Sequence, residues 1–153
     1  MTRTLRPAAP ARTVSAGAFR CPTSALEVWL GVGAGGAAAG SKYYPMEFTN
    51  VSQRTCDLYG YPGVSADYRG HQAGSPARWV RSPFSPESSA TLRPGATAHT
   101  LLRVSDVANF PAPGCRPVTA TGLEVYPPGQ RAAAAATFSF RACPAKEPVF
   151  MDE

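Results

Sequence analysis

Proline and glycine occur throughout this 153-residue chain, and their number limits what it can fold into. The sequence contains 14 glycines and 16 prolines. Proline inside a helix removes a backbone donor and clashes with the preceding turn, whereas short strands joined by turns can accommodate it. Because 44% of the residues are hydrophobic, the chain can also form a globular core. We therefore expect a single all-β domain.

The individual strands are predicted from the alternation of apolar and polar residues. Leu26, Val28 and Leu30 alternate with Glu27 and Trp29, and a period of two is typical of a strand with one buried face. Similar patterns predict strands over residues 43–49, 56–61, 78–82, 96–104, 118–126 and 137–141. Seven or eight short strands separated by turns are typical of a sandwich of two antiparallel sheets.

The segments between the strands are predicted from their turn chemistry. Residues 65–77 are polar and contain several Gly and Ser residues, so we expect a long loop there. Residues 105–110 are expected to form one helical turn with Ser105 as its cap. The five alanines at 132–136 are too few for a stable isolated helix, and we interpret them as a loop or the start of the last strand.

The basic charge of the chain is concentrated near its start. A net charge of +5 could by itself indicate nucleic-acid binding. Four of the 15 basic residues lie in residues 1–20, which contain no acid, so residues 21–153 carry 11 basic and 10 acidic groups. A nucleic-acid-binding domain needs its basic groups clustered on the folded body. We therefore expect no nucleic-acid partner.

Four widely spaced cysteines indicate two structural disulfides. Cys21, Cys56, Cys115 and Cys143 include no C-x-x-C pair, and a zinc site normally needs closely spaced ligands. An even number of cysteines at wide spacing favours disulfides, which form in oxidising compartments. The alternative is four buried free thiols in a cytosolic protein. We expect an extracytoplasmic protein, secreted or in the cell envelope, with no metal or other cofactor.

The two ends of the chain are expected to lie outside the domain. Residues 1–20 are interrupted by Arg and Pro and contain no apolar stretch of the kind found in a signal peptide. We expect a disordered basic tail over residues 1–20, a β-sandwich domain over 21–146 and a C-terminal tail over 147–153. No apolar run is long enough to predict a membrane span. Export is thus inferred without a visible signal peptide.

The strand pattern favours one of the three possible disulfide pairings. The last two strands fold about a turn near residue 130, which places Cys115 and Cys143 at similar distances from that turn. The first two strands fold about residue 37, which brings Cys21 close to the residues before Cys56. We therefore predict the pairs Cys21–Cys56 and Cys115–Cys143. Each closes a loop of about 30 residues, which the entropic account values at about 3–4 kcal/mol.

Two short motifs are interpreted as turns. Residues 31–36 satisfy G-x-G-x-x-G, but a dinucleotide-binding turn must open an amphipathic helix, and a strand begins at Tyr43 instead. We expect a hairpin loop at this position. Residues 50–52 form an N-x-S glycosylation sequon, which we interpret as an asparagine in a tight turn.

The histidines offer little support for catalysis. His71 lies near Asp67, Ser65 and Ser75, a combination that could suggest a hydrolase. No G-x-S-x-G elbow frames any serine, and polar residues in such a loop are usually solvated. His99 lies within a predicted strand and is expected on a sheet face. We expect no catalytic residues.

Aromatic residues in the middle of the chain form the candidate binding surface. Tyr59, Tyr61, Tyr68 and Trp79 lie among glycines and loops, and His71 lies between them in the sequence. Rigid aromatic side chains near loops are common anchors for recognition. The alternative is that Tyr59 and Trp79 fill the core while the others cover its rim.

A set of residues spread over most of the chain carries a family resemblance. In chain order, these are Cys21 with Leu26 and Val28, G-S at 40–41, F-T-N at 48–50, T-C-D-L-Y-G-Y-P-G-V at 55–64, L-x-P-G-x-x-A at 92–98, Cys115, G-L-x-V-Y-P-P-G at 122–129, and Cys143. The set resembles the actinobacterial domain of unknown function 4232. The resemblance implies an exported or lipid-anchored envelope protein with an immunoglobulin-like β-sandwich, and it implies no activity.

These observations together predict a non-enzymatic extracytoplasmic binding or interaction module. Its expected partner is a protein or a cell-wall component, and we expect the module itself to be monomeric. Two alternatives remain from other classes, namely a hydrolase that uses His71 and a purely structural spacer domain.

Overall fold

The computed structural model describes residues 19–31, 37–38, 40–80 and 89–153. In these residues strands dominate, and the helical elements are two short 3-10 turns at Thr23–Ala25 and Val107–Asn109. The strands are β1 Leu26–Leu30, β2 Ala37–Ala38, β3 Ser41–Asn50, β4 Cys56–Tyr59, β5 Gly63–Tyr68, β6 His71–Ala73, β7 Ser89–Leu92, β8 Thr97–Ser105, β9 Val118–Tyr126, β10 Ala134–Ala142 and β11 Met151–Asp152. The prediction of an all-β fold is confirmed. No helix in the described parts of the chain is long and apolar enough to cross a membrane.

The strands form two main sheets and one small one. The first sheet has the order β1-β3-β8-β11, with β2 paired to the start of β3, and the second has the order β10-β9-β5-β6. Strands β4 and β7 form a separate pair. Every one of these pairings is antiparallel. The predicted antiparallel sandwich is therefore confirmed.

Both main sheets contribute to a single core. The alternation predicted for β1 is observed, since Leu26 and Val28 are buried while Glu27 and Trp29 are exposed. The first sheet also buries Met46, Phe48, Leu102 and Val104, and the second sheet buries Val64, Ala66, Leu123, Val125 and Ala136. These side chains belong to one continuous cluster, which is the interior of the sandwich.

The segment predicted as a long loop, residues 65–77, instead contains most of β5 and all of β6. The two strands form a hairpin closed by Arg69 and Gly70, with φ of 54° and 80°. Positive φ at both central positions is the geometry of a type I′ turn, which matches the twist of the strands. Ser65 is buried like its neighbours Val64 and Ala66, so burial on β5 does not follow the polarity of its residues.

The end of the chain is part of the sandwich, which corrects the predicted C-terminal tail at 147–153. Phe150 and Met151 are among the largest fully buried side chains, and β11 pairs with β8. Asp152 accepts a hydrogen bond from Nε of Arg103 at 2.9 Å and forms a salt bridge with the same guanidinium. Two buried apolar side chains explain why this short segment joins the core.

The predicted N-terminal tail of residues 1–20 is corrected at its last two residues, 19 and 20, which pair with the domain. The backbone N–H of Asp57 donates to the carbonyl of Phe19, and the N–H of Cys21 donates to the carbonyl of Asp57. Residues 19–21 thus run alongside β4, with Arg20 forming a parallel bridge to Asp57. Residues 1–18, for which the sequence predicts disorder, lie outside the described residues.

Both predicted disulfides are confirmed. Cys21 pairs with Cys56 with their Cα atoms 4.8 Å apart, and Cys115 pairs with Cys143 with a Cα separation of 5.2 Å. All four cysteines are buried. The first bridge joins the chain before β1 to β4, and the second joins the loop before β9 to the end of β10.

Several local predictions can be compared with the structure. The helical turn near residue 107 is capped by Asp106, whose carboxylate accepts from the N–H of Ala108 at 2.9 Å, and not by Ser105 as predicted. The alanines at 132–136 lead into β10, which agrees with their interpretation as the start of the last strand. Of the G-x-G-x-x-G motif, residues 32–36 lie outside the described residues, and the antiparallel pair β2–β3 follows them.

The asparagine of the sequon is a structural residue. Asn50 is fully buried, and its Nδ2 donates to the carbonyls of Arg54 and Leu92, each at 2.9 Å. Its Oδ1 accepts from the N–H and the hydroxyl of Ser52. The side chain therefore organises the turn after β3, as the interpretation of a tight turn predicted.

Candidate binding surface

Tyr61 and Trp79 form a stacked pair with its ring centroids 5.3 Å apart and its planes at 17°. The Tyr61 hydroxyl donates to the carbonyl of Val80 at 2.8 Å, and Nε1 of Trp79 donates to the carbonyl of Pro62 at 3.0 Å. Trp79 nevertheless remains 53% exposed. The rings are thus fixed by hydrogen bonds to backbone while an indole surface stays open to solvent.

The backbone under Trp79 is held from both sides. Residues 77–80, here named the connecting segment, run between the second sheet and the C-terminal strand. On one side the N–H of Ala77 donates to the carbonyl of Val64 in β5 at 2.8 Å. On the other side Arg78 donates to Met151 and accepts from Glu153, each at 3.0 Å. Backbone hydrogen bonds to two elements give Trp79 a defined position.

Tyr59 lies at the end of β4 and is 50% exposed. The guanidinium carbon of Arg20 lies 3.9 Å from the Tyr59 ring centroid, and Nη2 of Arg20 donates to the Tyr59 carbonyl at 3.2 Å. This cation lies against Gly129, where φ is 75° and a Cβ atom would come 1.7 Å from Nη1 of Arg20. A glycine at position 129 therefore leaves room for Arg20 beside the ring.

Tyr126 adds a further exposed ring. It lies at the end of β9 and pairs in register with Gly63 at the start of β5. A Cβ at Gly63 would lie 3.5 Å from the Cβ of Tyr126, so the missing side chain leaves the tyrosine uncovered. Trp79 donates to Pro62 from the side of β5 opposite to β9. Trp79 and Tyr126 are thus about two strand spacings, or ~10 Å, apart. We name Tyr59, Tyr61, Trp79 and Tyr126 the aromatic surface.

Tyr68 and His71, which the sequence placed in the same surface, lie elsewhere. They face each other at the far end of β5, where its hairpin with β6 closes. Five residues of strand separate Gly63 from Tyr68, which corresponds to ~16 Å. Tyr68 is half-buried against the core, with the Arg69 guanidinium 5.2 Å from its ring centroid, and His71 is exposed. The structure therefore stacks Tyr61 on Trp79, places Tyr59 against Arg20, and carries Tyr68 and His71 to the other end of β5.

The residues named around His71 are also separated. His71 pairs with Tyr68 while Asp67 pairs with Gln72, and adjacent pairs project from opposite faces of a sheet. Ser65 is buried, and the hydroxyl of Ser75 donates to the carbonyl of Lys146 at 2.8 Å. In the described residues this set forms no serine–histidine–acid arrangement.

His99 lies on an exposed sheet face, as predicted. Its Nδ1 lies 3.9 Å from Oε1 of Glu47 on the neighbouring strand. Within the described residues, no three His, Cys, Asp or Glu side chains come close enough to hold a metal ion.

An unusual carboxyl group lies beside the connecting segment. The N–H of Val80 donates to the carbonyl of Glu153 at 2.9 Å, and the two side-chain oxygens of Glu153 are buried without a hydrogen-bond partner among the described residues. Burial, and then the charge of Asp152, raise the pKa of the Glu153 carboxyl to about 8. The protonated form is therefore the one that this environment favours.

Sequence reasoning missed Arg20 and Tyr126 as neighbours of this surface. The signal for Tyr126 was present, because it alternates with the buried Val125 in a predicted strand. The signal for Arg20 was hidden, since the residue belonged to a predicted tail and its contact with Gly129 spans most of the chain.

The comparisons with known proteins were consistent with the resemblance seen in the sequence. The model of the family described as Domain of unknown function (DUF4232) matches residues 21–150. The match covers both disulfides and every residue of the aromatic surface. No curated protein and no solved structure matches the chain.

Proposed function

This chain belongs to the DUF4232 family, and we propose that it is a non-enzymatic binding module, secreted or held in the cell envelope, that holds its partner on the aromatic surface. The proposal of an extracytoplasmic location is supported by the two buried disulfides, because such bonds persist in oxidising compartments.

The stacked pair of Tyr61 and Trp79 is the observation that carries this proposal. Both polar atoms of the pair already bond to backbone carbonyls, so the rings are ordered before a partner arrives. A side chain that is already fixed loses little conformational freedom on binding. Exposed Trp and Tyr side chains with this preorganisation are typical of recognition sites.

The chemistry of the surface favours a cell-wall glycan as the partner. Because the polar atoms of the stacked pair are occupied, these rings offer mainly apolar surface, which can pack against the C–H groups of a sugar. Arg20 beside Tyr59 adds a positive charge, which can pair with a carboxylate of the polymer. We therefore propose binding to an extended, acidic wall polysaccharide.

Co-sedimentation with protein-free, insoluble cell-wall glycan tests the proposal. We expect Trp79→Ala to lower the bound fraction at least tenfold. Trp29→Ala is the matched control, because Trp29 is 43% exposed and also donates its Nε1 hydrogen bond, to Thr49, on another face of the molecule. Equal retention of the two variants would remove the aromatic surface as the binding site.

A protein partner is distinguished by a second measurement. If the partner is a protein, the wild-type chain and Trp29→Ala capture it from envelope protein extracts, and Trp79→Ala does not. In that case none of the three proteins sediments with the glycan. Binding of neither material would favour the spacer role.

A further inference from the structure

A cleft of about 440 Å³ opens between the two main sheets. It is lined by Gly40, Ser41, Lys42, Tyr44, Val104, Ser105, Asp106, Val107, Ser139, Phe140 and Arg141. These residues come from the start of β3, the end of β8 with the turn after it, and the second half of β10. The volume lies within the range of ordinary small-molecule sites.

The cleft and the aromatic surface lie at opposite ends of the second sheet. Phe140 pairs with Ala120 near the start of β9, whereas Tyr126 ends that strand. Six residues of strand separate these two positions, which corresponds to ~20 Å. The cleft is therefore a separate site.

Aromatic rings form the inner wall of the cleft. Tyr44 meets Phe138 edge-on with ring centroids 4.7 Å apart, and Phe138 stacks on Phe140 at the same distance. Phe140 lies in turn 6.3 Å from the centroid of the buried Phe150. Tyr44 and Phe140 are only half-buried, so the row of rings continues from the core into the cleft and gives it an apolar floor.

An irregularity in β10 shapes the same place. Thr137 pairs with Gly122 and Phe140 with Ala120, so three steps along β10 match two along β9. The extra residue is a β-bulge, a feature that re-aims side chains and often lies beside functional sites. Ser139, which lines the cleft, falls within this bulge.

The rim of the cleft is held in position. The carbonyl of Gly40 accepts from the N–H of Asp106 at 2.8 Å and from Nδ2 of Asn109 at 2.9 Å. Gly40 has a φ of 77°, and a Cβ there would come 2.9 Å from the Asn109 side chain. These contacts tie the start of β3 to the turn after β8 and keep the entrance fixed.

Charged groups at the rim favour an anion. Lys42 pairs in register with Val104, whose side chain is buried in the core, so Lys42 lies on the inward face of β3. The carboxylate of Asp106 already accepts the capping hydrogen bond of Ala108, and Nη1 of Arg141 donates to Thr119. Lys42 is thus the cation that is least committed to other groups along the described rim.

We infer that this cleft binds a small amphipathic carboxylate, with its apolar body against Tyr44 and Phe140 and its carboxylate at Lys42. Ser105 and Ser139 also line the cleft, and a hydroxyl can donate a hydrogen bond to a carboxylate. A lysine ammonium paired with a carboxylate beside an apolar floor recognises both parts of such a ligand.

Decanoate, decanol and acetate are the probes that test this inference, with binding followed by calorimetry or by NMR shifts of the cleft residues. We expect decanoate to bind and Lys42→Gln to weaken it at least tenfold. Decanol is expected to bind weakly and equally to both proteins, and acetate is expected not to bind. Phe140→Leu should weaken decanoate and decanol alike, because it changes only the floor.

The chain provides a matched control, because its other lysine, Lys146, is exposed and lies outside the cleft. Lys146→Gln is expected to bind decanoate as the wild type does, and so is Trp79→Ala, which separates this site from the aromatic surface. Equal decanoate affinity for Lys42→Gln and the wild type would overturn the inference. So would the absence of decanoate binding to the folded wild-type protein, or an equal loss in Lys146→Gln.

Discussion

The side-chain amide of Asn50 donates to the carbonyl of Leu92, 42 residues further along the chain. This bond joins the end of β3 to the end of β7, and the same amide nitrogen reaches Arg54 within its own turn. The backbone of Asn50 adds two more bonds, from its N–H to Ala96 and from Gly95 to its carbonyl. One buried residue thus fixes the meeting point of three segments.

Replacing Asn50 by Asp should destabilise the fold strongly. The carboxylate oxygen that replaces Nδ2 cannot donate to the carbonyls of Arg54 and Leu92 and would lie against both of them. The other oxygen keeps the donors of Ser52, but a buried charge that faces two acceptors is costly. We expect the free energy of unfolding to fall by about 3 kcal/mol, measured by urea denaturation. Gln53→Glu makes the same chemical change at an exposed site in the same turn and should change stability by less than about 0.5 kcal/mol. Similar losses in both variants would contradict the role assigned to Asn50.

The hairpin turn at Arg69 should tolerate asparagine better than alanine. Arg69 has a φ of 54°, where most L-residues pay about 1 kcal/mol and asparagine pays less. We expect Arg69→Asn to be more stable than Arg69→Ala by about 1 kcal/mol in thermal unfolding. Both variants lose the contact of the guanidinium with Tyr68, so that loss cancels in the comparison. An alanine variant as stable as the asparagine variant would mean that the turn relaxes.

The Glu153 carboxyl should make stability depend on pH. Its pKa in the folded protein, about 8, is above the ordinary value of 4.5, so folding favours the protonated form. The stability that this carboxyl contributes is therefore fully present below about pH 4.5 and is lost as the pH rises towards about 8. We expect Glu153→Gln to reduce this decrease between pH 5 and pH 8 by about 2–4 kcal/mol in urea denaturation.

The matched control for that experiment is Glu147→Gln. Glu147 is exposed and lies in the same C-terminal segment, so its replacement should leave the pH dependence as in the wild type. The assignment to Glu153 fails if Glu153→Gln keeps the whole pH dependence.

The two disulfides should stabilise the fold by similar amounts. They join residues separated by 35 and 28 positions, and loop-closure entropy changes little over that range. We expect Cys21→Ala/Cys56→Ala and Cys115→Ala/Cys143→Ala each to lower the free energy of unfolding by about 3 kcal/mol. Peptide mapping without reduction provides the direct check. A peptide that joins Cys21 to Cys115 would contradict the pairing.

The sequence predicted those features that depend on neighbouring residues. The alternation around Val28 predicted β1, and the turn near residue 130 predicted the hairpin of β9 and β10 with its disulfide. Strand β5 was missed because its core position Ala66 has little apolar character and Ser65 is buried beside it. Strand β11 was missed because it has two residues and pairs with β8, far away in sequence.

The candidate surface was predicted only in part, because its contacts also depend on residues that are distant in the sequence. Tyr61 meets Trp79 because the connecting segment returns alongside the start of β5, which no local pattern encodes. Tyr68 and His71 are nearer to Tyr61 in sequence than Trp79 is, yet a strand carries them to the other end of the sheet. Distance along the chain was therefore a poor guide to which aromatic residues share a face.

The position of β11 has a consequence for the order of folding. This strand pairs with β8, and the residues around it bond to the connecting segment, so β11 joins the two sheets along one side. It is also the last strand of the described chain to be synthesised. Until residues 150–153 have emerged, β8 has an open edge and the pocket that receives Phe150 is empty. The edge of β8 and the site of Phe150 are therefore completed only when the last strand of the described chain has been synthesised.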